Sequence, residues 1–156
     1  MAAPSVFCAE TVLNAPVEVI HAFHENPLNI GAISPGWQRV KILYANPVAV
    51  AGEKFSLQIV FLGLLPMRWE GVWREATRPG LLVDEMLRGP FAHFVHRHEF
   101  EAIDADHTRM TDHVTYRFFG GWLGRIFGET LGRWQFRLMF ADRHARTRRW
   151  AREQRG

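Results

Sequence analysis

The chain predicts an α+β domain built from a seven-stranded antiparallel sheet and one long C-terminal helix. Three observations carry this expectation. Residues 5–14 alternate apolar and polar with period two; residues 39–118 read as strand after strand with short breaks; residues 121–152 carry apolar residues at steps of three and four. With 156 residues and 47% hydrophobic content, the length suits one domain with one core rather than two domains or a disordered chain. No apolar run approaches the roughly 18 residues that a membrane-spanning helix needs. The single cysteine, Cys8, excludes an intramolecular disulfide. The N-terminus has no basic segment followed by an apolar run, so the expected compartment is the cytoplasm.

The elements follow in order. Phe7, Ala9, Thr11 and Leu13 share one side of the first strand. Pro16 suits a first helical turn and Glu18 favours its positive end. Val19, Ile20 and Phe23 supply a stripe, and Asn26-Pro27 stops it. A second short helix is expected over 28–33, ended by Ser34-Pro35-Gly36. Breaks at 45–52, 61–66, 77–80, 88–90 and 104–107 then divide six strands. Connections so short permit antiparallel neighbours and exclude crossover helices, so the sheet should be a meander. In the last segment Leu123, Phe127, Leu131, Trp134, Leu138 and Ala141 form the expected buried stripe of one helix. That helix would reach roughly 45 Å, longer than a small sheet requires, so its Arg-rich end at 143–156 is expected to project or fray.

Net charge is only +3, but residues 133–156 hold eight Arg against Asp142 and Glu153, while residues 1–132 hold 11 bases and 14 acids. The basic end reads as a solvated helix face, and a nucleic-acid partner is not expected. A meander brings alternate connections to one end of the sheet. One end gathers Phe61-Leu62-Gly63-Leu64-Leu65-Pro66, Arg88-Gly89-Pro90-Phe91 and Phe119-Gly120-Gly121-Trp122. Three apolar loops at one end point to a cavity mouth, a partner surface, transient membrane contact, or a plug of core.

The order of elements resembles the helix-grip fold of the SRPBCC superfamily, which unites START domains, pollen allergens and polyketide cyclases. The stretches that carry the resemblance are Leu13-Asn14-Ala15-Pro16 with Phe23, Asn26-Pro27 to Ile33-Ser34-Pro35, Val83-Asp84-Glu85-Met86 with Gly89-Pro90-Phe91, His96-Arg97-His98-Glu99-Phe100, Met110-Thr111-Asp112-His113-Val114-Thr115-Tyr116, and Phe119-Gly120 with Leu123-Gly124. They are similar to a bacterial ligand-binding branch. The resemblance implies a curved sheet wrapped around the terminal helix, a cavity between them, and Met86 beside that cavity. One such fold hosts binders, transfer proteins and cyclases, so it specifies the architecture better than the ligand.

The residues themselves add chemistry. If positions in the hairpin of residues 91–118 pair to a sum of 210, Glu101 faces Arg109 on the outer side, and Phe100–Met110, His98–Asp112, His96–Val114 and Phe94–Tyr116 pair on the apolar side. An unpaired buried carboxylate is costly, so His98 and Asp112 should bond, favouring charged His98. The pair reads three ways: structural, ligand-orienting, or catalytic. In the catalytic reading His98 shuttles a proton, Asp112 orients it, and Tyr116 or His96 polarises a carbonyl, as in an aldol-type cyclisation or dehydration. His96, His98 and Asp112 also make a two-histidine, one-carboxylate set, but the spacing is unspecific and neither metal nor cofactor is expected. His21, His24, His107 and His144 read as ordinary surface or helix residues, and His93 as solvated. Trp69 and Trp73 share a strand face with Gly71, which leaves space between them. Gly120, Gly124, Gly128 and Gly132 recur at steps of four, for close packing, ligand room or helix mobility.

The expected function is therefore binding or transport of a hydrophobic small molecule, lipid, isoprenoid or polyketide-like. Its cavity would be lined by Trp69, Trp73, Met86, Phe94, His96, His98, Asp112, Val114, Tyr116, Leu123 and Phe127. A cyclase or dehydratase using His98, Asp112 and Tyr116 is the alternative.

Overall fold

The computed structural model describes residues 3–154. Strand β1 (Ser5–Leu13) is followed by helix α1 (Val17–Glu25), a 3-10 turn (Pro27–Asn29) and the short helix α2 (Ile30–Ile33). The meander comprises β2 (Gln38–Tyr44), β3 (Lys54–Phe61), β4 (Leu65–Thr77), β5 (Leu81–Arg88), β6 (His93–Ala102) and β7 (Thr108–Arg117). Helix α3 (Gly121–Phe127), a π-helical turn (Gly128–Gly132) and helix α4 (Arg133–Glu153) complete the chain.

The sheet order is β1-β7-β6-β5-β4-β3-β2, antiparallel throughout. The meander is as expected, and β1 closes it by pairing with β7 from Ser5 opposite Tyr116 to Leu13 opposite Thr108. Register shifts between Glu70 and Gly71 and between Trp73 and Glu75 bend the sheet at β4. The β6–β7 hairpin has the register of the alternation: Phe94 faces Tyr116, His96 Val114, His98 Asp112 and Phe100 Met110. On the outer side Arg109 binds Glu101 at 2.7 Å.

The interior is divided in two. One cluster joins Leu13, Ile20, Phe55, Leu57, Trp73, Leu82, Phe100 and Met110; the other joins Phe7, Met86, Phe94, Val114, Tyr116, Phe136 and Phe140. Asp112 lies on β7 between Met110 of the first cluster and Val114 of the second, so a polar layer interrupts the core.

The terminal helix departs from expectation in three ways. A π turn divides it, so it is not one uniform rod. Its buried face is Gly124, Gly128, Gly132, Phe136, Phe140, His144, Thr147 and Ala151, whereas Leu123, Phe127, Leu131, Trp134 and Leu138 are all exposed. The reason is space. A Cβ at Gly132 would lie 2.7 Å from the Phe118 ring, and one at Gly128 would lie 3.2 Å from Phe118 and 3.3 Å from Tyr116. The sheet supplies the side chains and the helix supplies the vacancy. The Arg-rich end does not fray among the described residues: α4 continues to Glu153 and buries Ala151, while Arg155 and Gly156 lie outside them. No helix among the described residues is long and apolar enough to cross a membrane.

The loops at the apolar end do not fold inward as a plug. Leu64 is 86% exposed, and Leu62, Leu65, Phe119 and Trp122 are exposed with it. Phe61 and Phe91 of those loops turn towards the interior and line its cavity.

Close packing of the glycine row gives a test. At Gly124 a Cβ would overlap the carbonyl oxygens of Phe118 and Phe119, which are backbone and cannot rotate away. Gly124→Ala should therefore destabilise by about 1–3 kcal/mol in urea unfolding, despite alanine's better helix propensity. Gly31→Ala in α2, with nothing within 4 Å of the new Cβ, should be neutral or stabilise by about 0.4–1 kcal/mol.

Candidate functional site

The polar layer is built by strand register. His98 on β6 sits between Leu82 of β5 and Asp112 of β7, and His96 sits between Asp84 of β5 and Val114 of β7. Side chains two apart share a face, so both imidazoles and both carboxylates turn to the concave side. Helix α4 adds His144, one turn beyond Phe140.

Asp112 is fully buried and is the hub. His96 Nε2 donates to its Oδ1 at 2.9 Å, and His144 Nε2 donates to Oδ2 at 2.6 Å. His98 Nδ1 lies 2.8 Å from Oδ1, but its N–H is not aligned for a hydrogen bond, so this contact is an ion pair. The opposite nitrogens of the two β6 rings face Asp84: His98 Nε2 is 3.4 Å and His96 Nδ1 4.0 Å from Asp84 Oδ2. The rings lie side by side, with centroids 3.7 Å apart.

Charge follows from these contacts. Burial alone would push the Asp112 carboxyl up, but the hydrogen bonds from His144 and His96 and the contact with His98 outweigh it and hold the group well below the usual carboxylate range. Burial likewise opposes charge on His98, yet Asp112 and Asp84 together raise its pKa. His96 falls to about 4, because burial and the neighbouring His98 charge both disfavour a second proton. The cluster therefore favours a proton on His98 and disfavours one on His96.

A cavity of about 180 Å³ opens over this cluster, between the sheet, α1 and α4. Trp69, Trp73, Phe94, Phe136 and Phe140 make its aromatic walls, and Leu57 and Ile59 line the β3 side. Asp84, His96 and His98 form a polar end. His24 and Arg143 also reach the cavity. His24 Nδ1 donates to the Ile20 carbonyl at 2.8 Å, leaving a buried Nε2 with no partner. Burial, Arg143 and His98 lower the His24 pKa to about 3. Arg143 Nε is also buried without a partner, and its guanidinium stands 5.9 Å from the Phe140 ring centre.

Of the residues expected to line a cavity, Trp69, Trp73, Phe94, His96 and His98 do so. Asp112 lies behind the histidines, and Met86, Val114 and Tyr116 are packed in the second core cluster rather than on the wall. The Tyr116 hydroxyl donates to the Gly128 carbonyl at 2.8 Å, which removes it from the carbonyl-polarising role. Leu123 and Phe127 are corrected outright: they are 60% and 43% exposed, because the glycine row turns the helix the other way. The space expected at Gly71 between the tryptophans is filled by the Phe55 ring.

Four polar residues of the site were missed. His24 and His144 are not ordinary surface residues, Arg143 reaches the cavity, and Asp84 belongs to the cluster. The step of four through Gly132, Phe136, Phe140 and His144 marks His144, and the alternation Leu82, Asp84, Met86 marks Asp84.

An antiparallel sheet gripping a terminal helix over a cavity defines a protein of the SRPBCC superfamily, with the helix-grip fold. The chain belongs to the family of polyketide cyclase / dehydrase and lipid transport proteins, whose pattern matches residues 13–142. No curated protein matches it in sequence. Among solved structures it is similar to the Zhui aromatase/cyclase from Streptomyces sp. R1128, at 11% identity, TM-score 0.71, and coverage of 98% of this chain and 97% of that one. Thalictrum flavum norcoclaurine synthase gives 14% identity, TM-score 0.71, and coverage of 98% and 97%. A protein from Arthrobacter aurescens gives 15% identity, TM-score 0.72, and coverage of 91% and 85%. At such identities the shared property is the fold.

The protonation pattern makes acid stability a test. His24 has its pKa lowered to about 3, whereas an unfolded histidine titrates near its ordinary 6.5. Between those values the unfolded chain binds one proton more, so stability falls as pH drops from about 6.5. His96 acts in the same direction above about 4. His98, with its raised pKa, is protonated in both states over that range and adds no slope there. Replacing His24→Phe should make the decline in unfolding free energy between pH 6 and 4.5 shallower by about 1.4 kcal/mol per pH unit, measured by urea titration at each pH.

Proposed function

We propose that this protein binds a hydrophobic small molecule carrying one polar group, with its apolar body between Trp69, Phe94, Phe136 and Phe140 and the polar group at Asp84, His96 and His98. The observation that carries this reading is the cavity itself, aromatic on its walls and ionic at one end. Apolar burial supplies affinity at about 25 cal/mol per Å², and the polar end selects orientation. The volume of about 180 Å³ lies below the roughly 300–1,000 Å³ of pockets for drug-sized ligands, which favours a compact ring compound or requires side chains to yield. The family description includes lipid transport, and a lipid, isoprenoid or polyketide-like ligand fits this chemistry.

The second reading, a cyclase or dehydratase, draws on one observation: His98, whose protonated form Asp112 and Asp84 favour, lines the cavity, where a general acid would stand. Asp112 would hold the ring in place, and Tyr116 has no part in it. The neighbours named aromatase/cyclase and norcoclaurine synthase accord with such chemistry in this fold.

Native mass spectrometry of freshly purified protein should show a bound apolar compound. Ile59→Trp, which fills the cavity from β3, should abolish binding of the fluorescent probe anilinonaphthalene sulfonate without loss of fold. Undiminished probe binding would remove the cavity from the proposal. His98→Ala should shift affinity if the protein is a binder; conversion of the co-purified compound by the native protein, lost in His98→Ala, would replace that reading by the enzymatic one.

The outward face of α3 and α4 supports the accompanying proposal of transient membrane contact. Trp122, Leu123, Ile126, Phe127, Leu131 and Trp134 are exposed, with Arg133 and Arg137 among them and Arg125 paired with Glu129. Tryptophan and arginine on one surface match an anionic lipid interface. Vesicles of phosphatidylcholine and phosphatidylglycerol should co-sediment with the protein, and the double variant Leu123→Glu, Trp134→Glu should weaken this by about tenfold or more. Absence of the native protein from the pellet would end the membrane part while leaving the cavity untouched.

A further inference from the structure

Asp84, His96 and His98, all buried, each offer one ligand atom, and these atoms lie within 4.8 Å of one another. We propose that they form a binding site for a divalent transition metal of the zinc class at the polar end of the cavity. This goes beyond ligand binding and does not depend on it.

The geometry is close to what such an ion requires. Zinc bonds of about 2.0–2.2 Å in a tetrahedron place neighbouring ligand atoms roughly 3.3–3.5 Å apart. His98 Nε2 and Asp84 Oδ2 are already at 3.4 Å, and His96 Nδ1 is 4.0 Å from the same oxygen. Two imidazoles and one carboxylate favour zinc, cobalt or ferrous iron over magnesium or calcium, which take mainly oxygen ligands.

Asp112 supplies the second layer. It takes the far nitrogen of each ring, His96 Nε2 and His98 Nδ1, and so turns His96 Nδ1 and His98 Nε2 towards Asp84. Carboxylates placed behind metal-binding histidines in this way hold the tautomer and ring orientation and raise ligand basicity. The carboxylate of the set is thus Asp84, not Asp112 as the two-histidine, one-carboxylate pattern in the sequence suggested.

One further observation points to a cation: His24 also lines the chamber, and its buried Nε2, an acceptor when Nδ1 donates to the Ile20 carbonyl, has no hydrogen-bond partner. Three protein ligands leave a fourth position open towards the aromatic walls, where an oxygen of the cavity's occupant would bind.

Cobalt(II) alone is the probe. Chelator-stripped full-length protein, titrated with Co²⁺ and followed by its visible d–d absorption, should saturate at one ion per chain. Asp84→Asn, checked for fold by circular dichroism, should bind about tenfold or more weakly. His107→Ala, which alters an exposed histidine paired with Asp104, should bind as the native protein does. X-ray absorption of the native complex should show two imidazoles in the first shell, and this needs no variant. Failure of the native protein to take up Co²⁺ saturably, uptake indifferent to Asp84→Asn, or a first shell of oxygens alone would each overturn the proposal. The anilinonaphthalene sulfonate assay on metal-free protein reads the cavity separately, so failure of either leaves the other standing.

Discussion

The carboxylate of Asp112 is fully buried, and the rest of the interior is arranged around that charge. Moving a carboxylate out of water costs several kcal/mol even after relaxation, and only partners with good geometry offset it. Two partners come from β6 and one from α4. The same contacts therefore fasten the sheet to the helix at mid-length, set both β6 rings, and divide the apolar core into two clusters. Substituting apolar side chains throughout would satisfy packing but would leave nothing to fix the orientation of His96 and His98.

The second constraint is the distance between helix and sheet. The carbonyl oxygens of Phe118 and Phe119 and the rings of Phe118 and Tyr116 occupy the volume where helix side chains would ordinarily stand, and the helix answers with Gly124, Gly128 and Gly132. The π turn spans the last two of these, and its Gly128 carbonyl accepts from both the Tyr116 hydroxyl and the Arg133 amide. Beyond the turn, Phe136 and Phe140 continue the same face and form one wall of the cavity. Close approach at one end and open space further along are thus consequences of side-chain size along a single row. The exposed apolar residues on the opposite face are the counterpart of that choice of phase.

How much was legible follows from where the signal resides. Period-two alternation exposes one face of a strand directly, so the pairing of His98 with Asp112 and of Phe94 with Tyr116 could be read from residue numbers alone. Helix phase was misread because glycine contributes nothing to an apolar stripe: Gly124, Gly128 and Gly132 look like gaps, whereas Leu123, Phe127 and Leu131 look like a core face. That error removed His144 from the site and placed Leu123 and Phe127 in it. Asp84 was obscured by Val83 and Glu85 beside it and by the register shifts in β4, which break simple alternation across the β4–β5 pair. His24 lay on a short helix whose burial depends on contacts with α4 and β6, such as Phe23 against Trp150 and His24 against Phe100, that no local pattern reveals.

The position of Asp84 separates a purely structural cluster from a site. Asp112 already has His96, His98 and His144 for partners, and one carboxylate is enough to balance one imidazolium in the core. A second carboxylate, at the cavity surface and without a hydrogen bond of good length to either ring, adds desolvation cost that folding does not require. Such a group faces the His98 ring and, under the proposed function, is offset further by what enters the cavity: a polar or cationic moiety of a ligand, or a metal ion. The apolar walls sharpen the effect, because a low-dielectric surround strengthens each electrostatic contact made there and penalises each one left unmade. The cost of keeping Asp84 where it stands is therefore a physical reason to propose an occupant for the chamber, whichever chemistry that occupant brings.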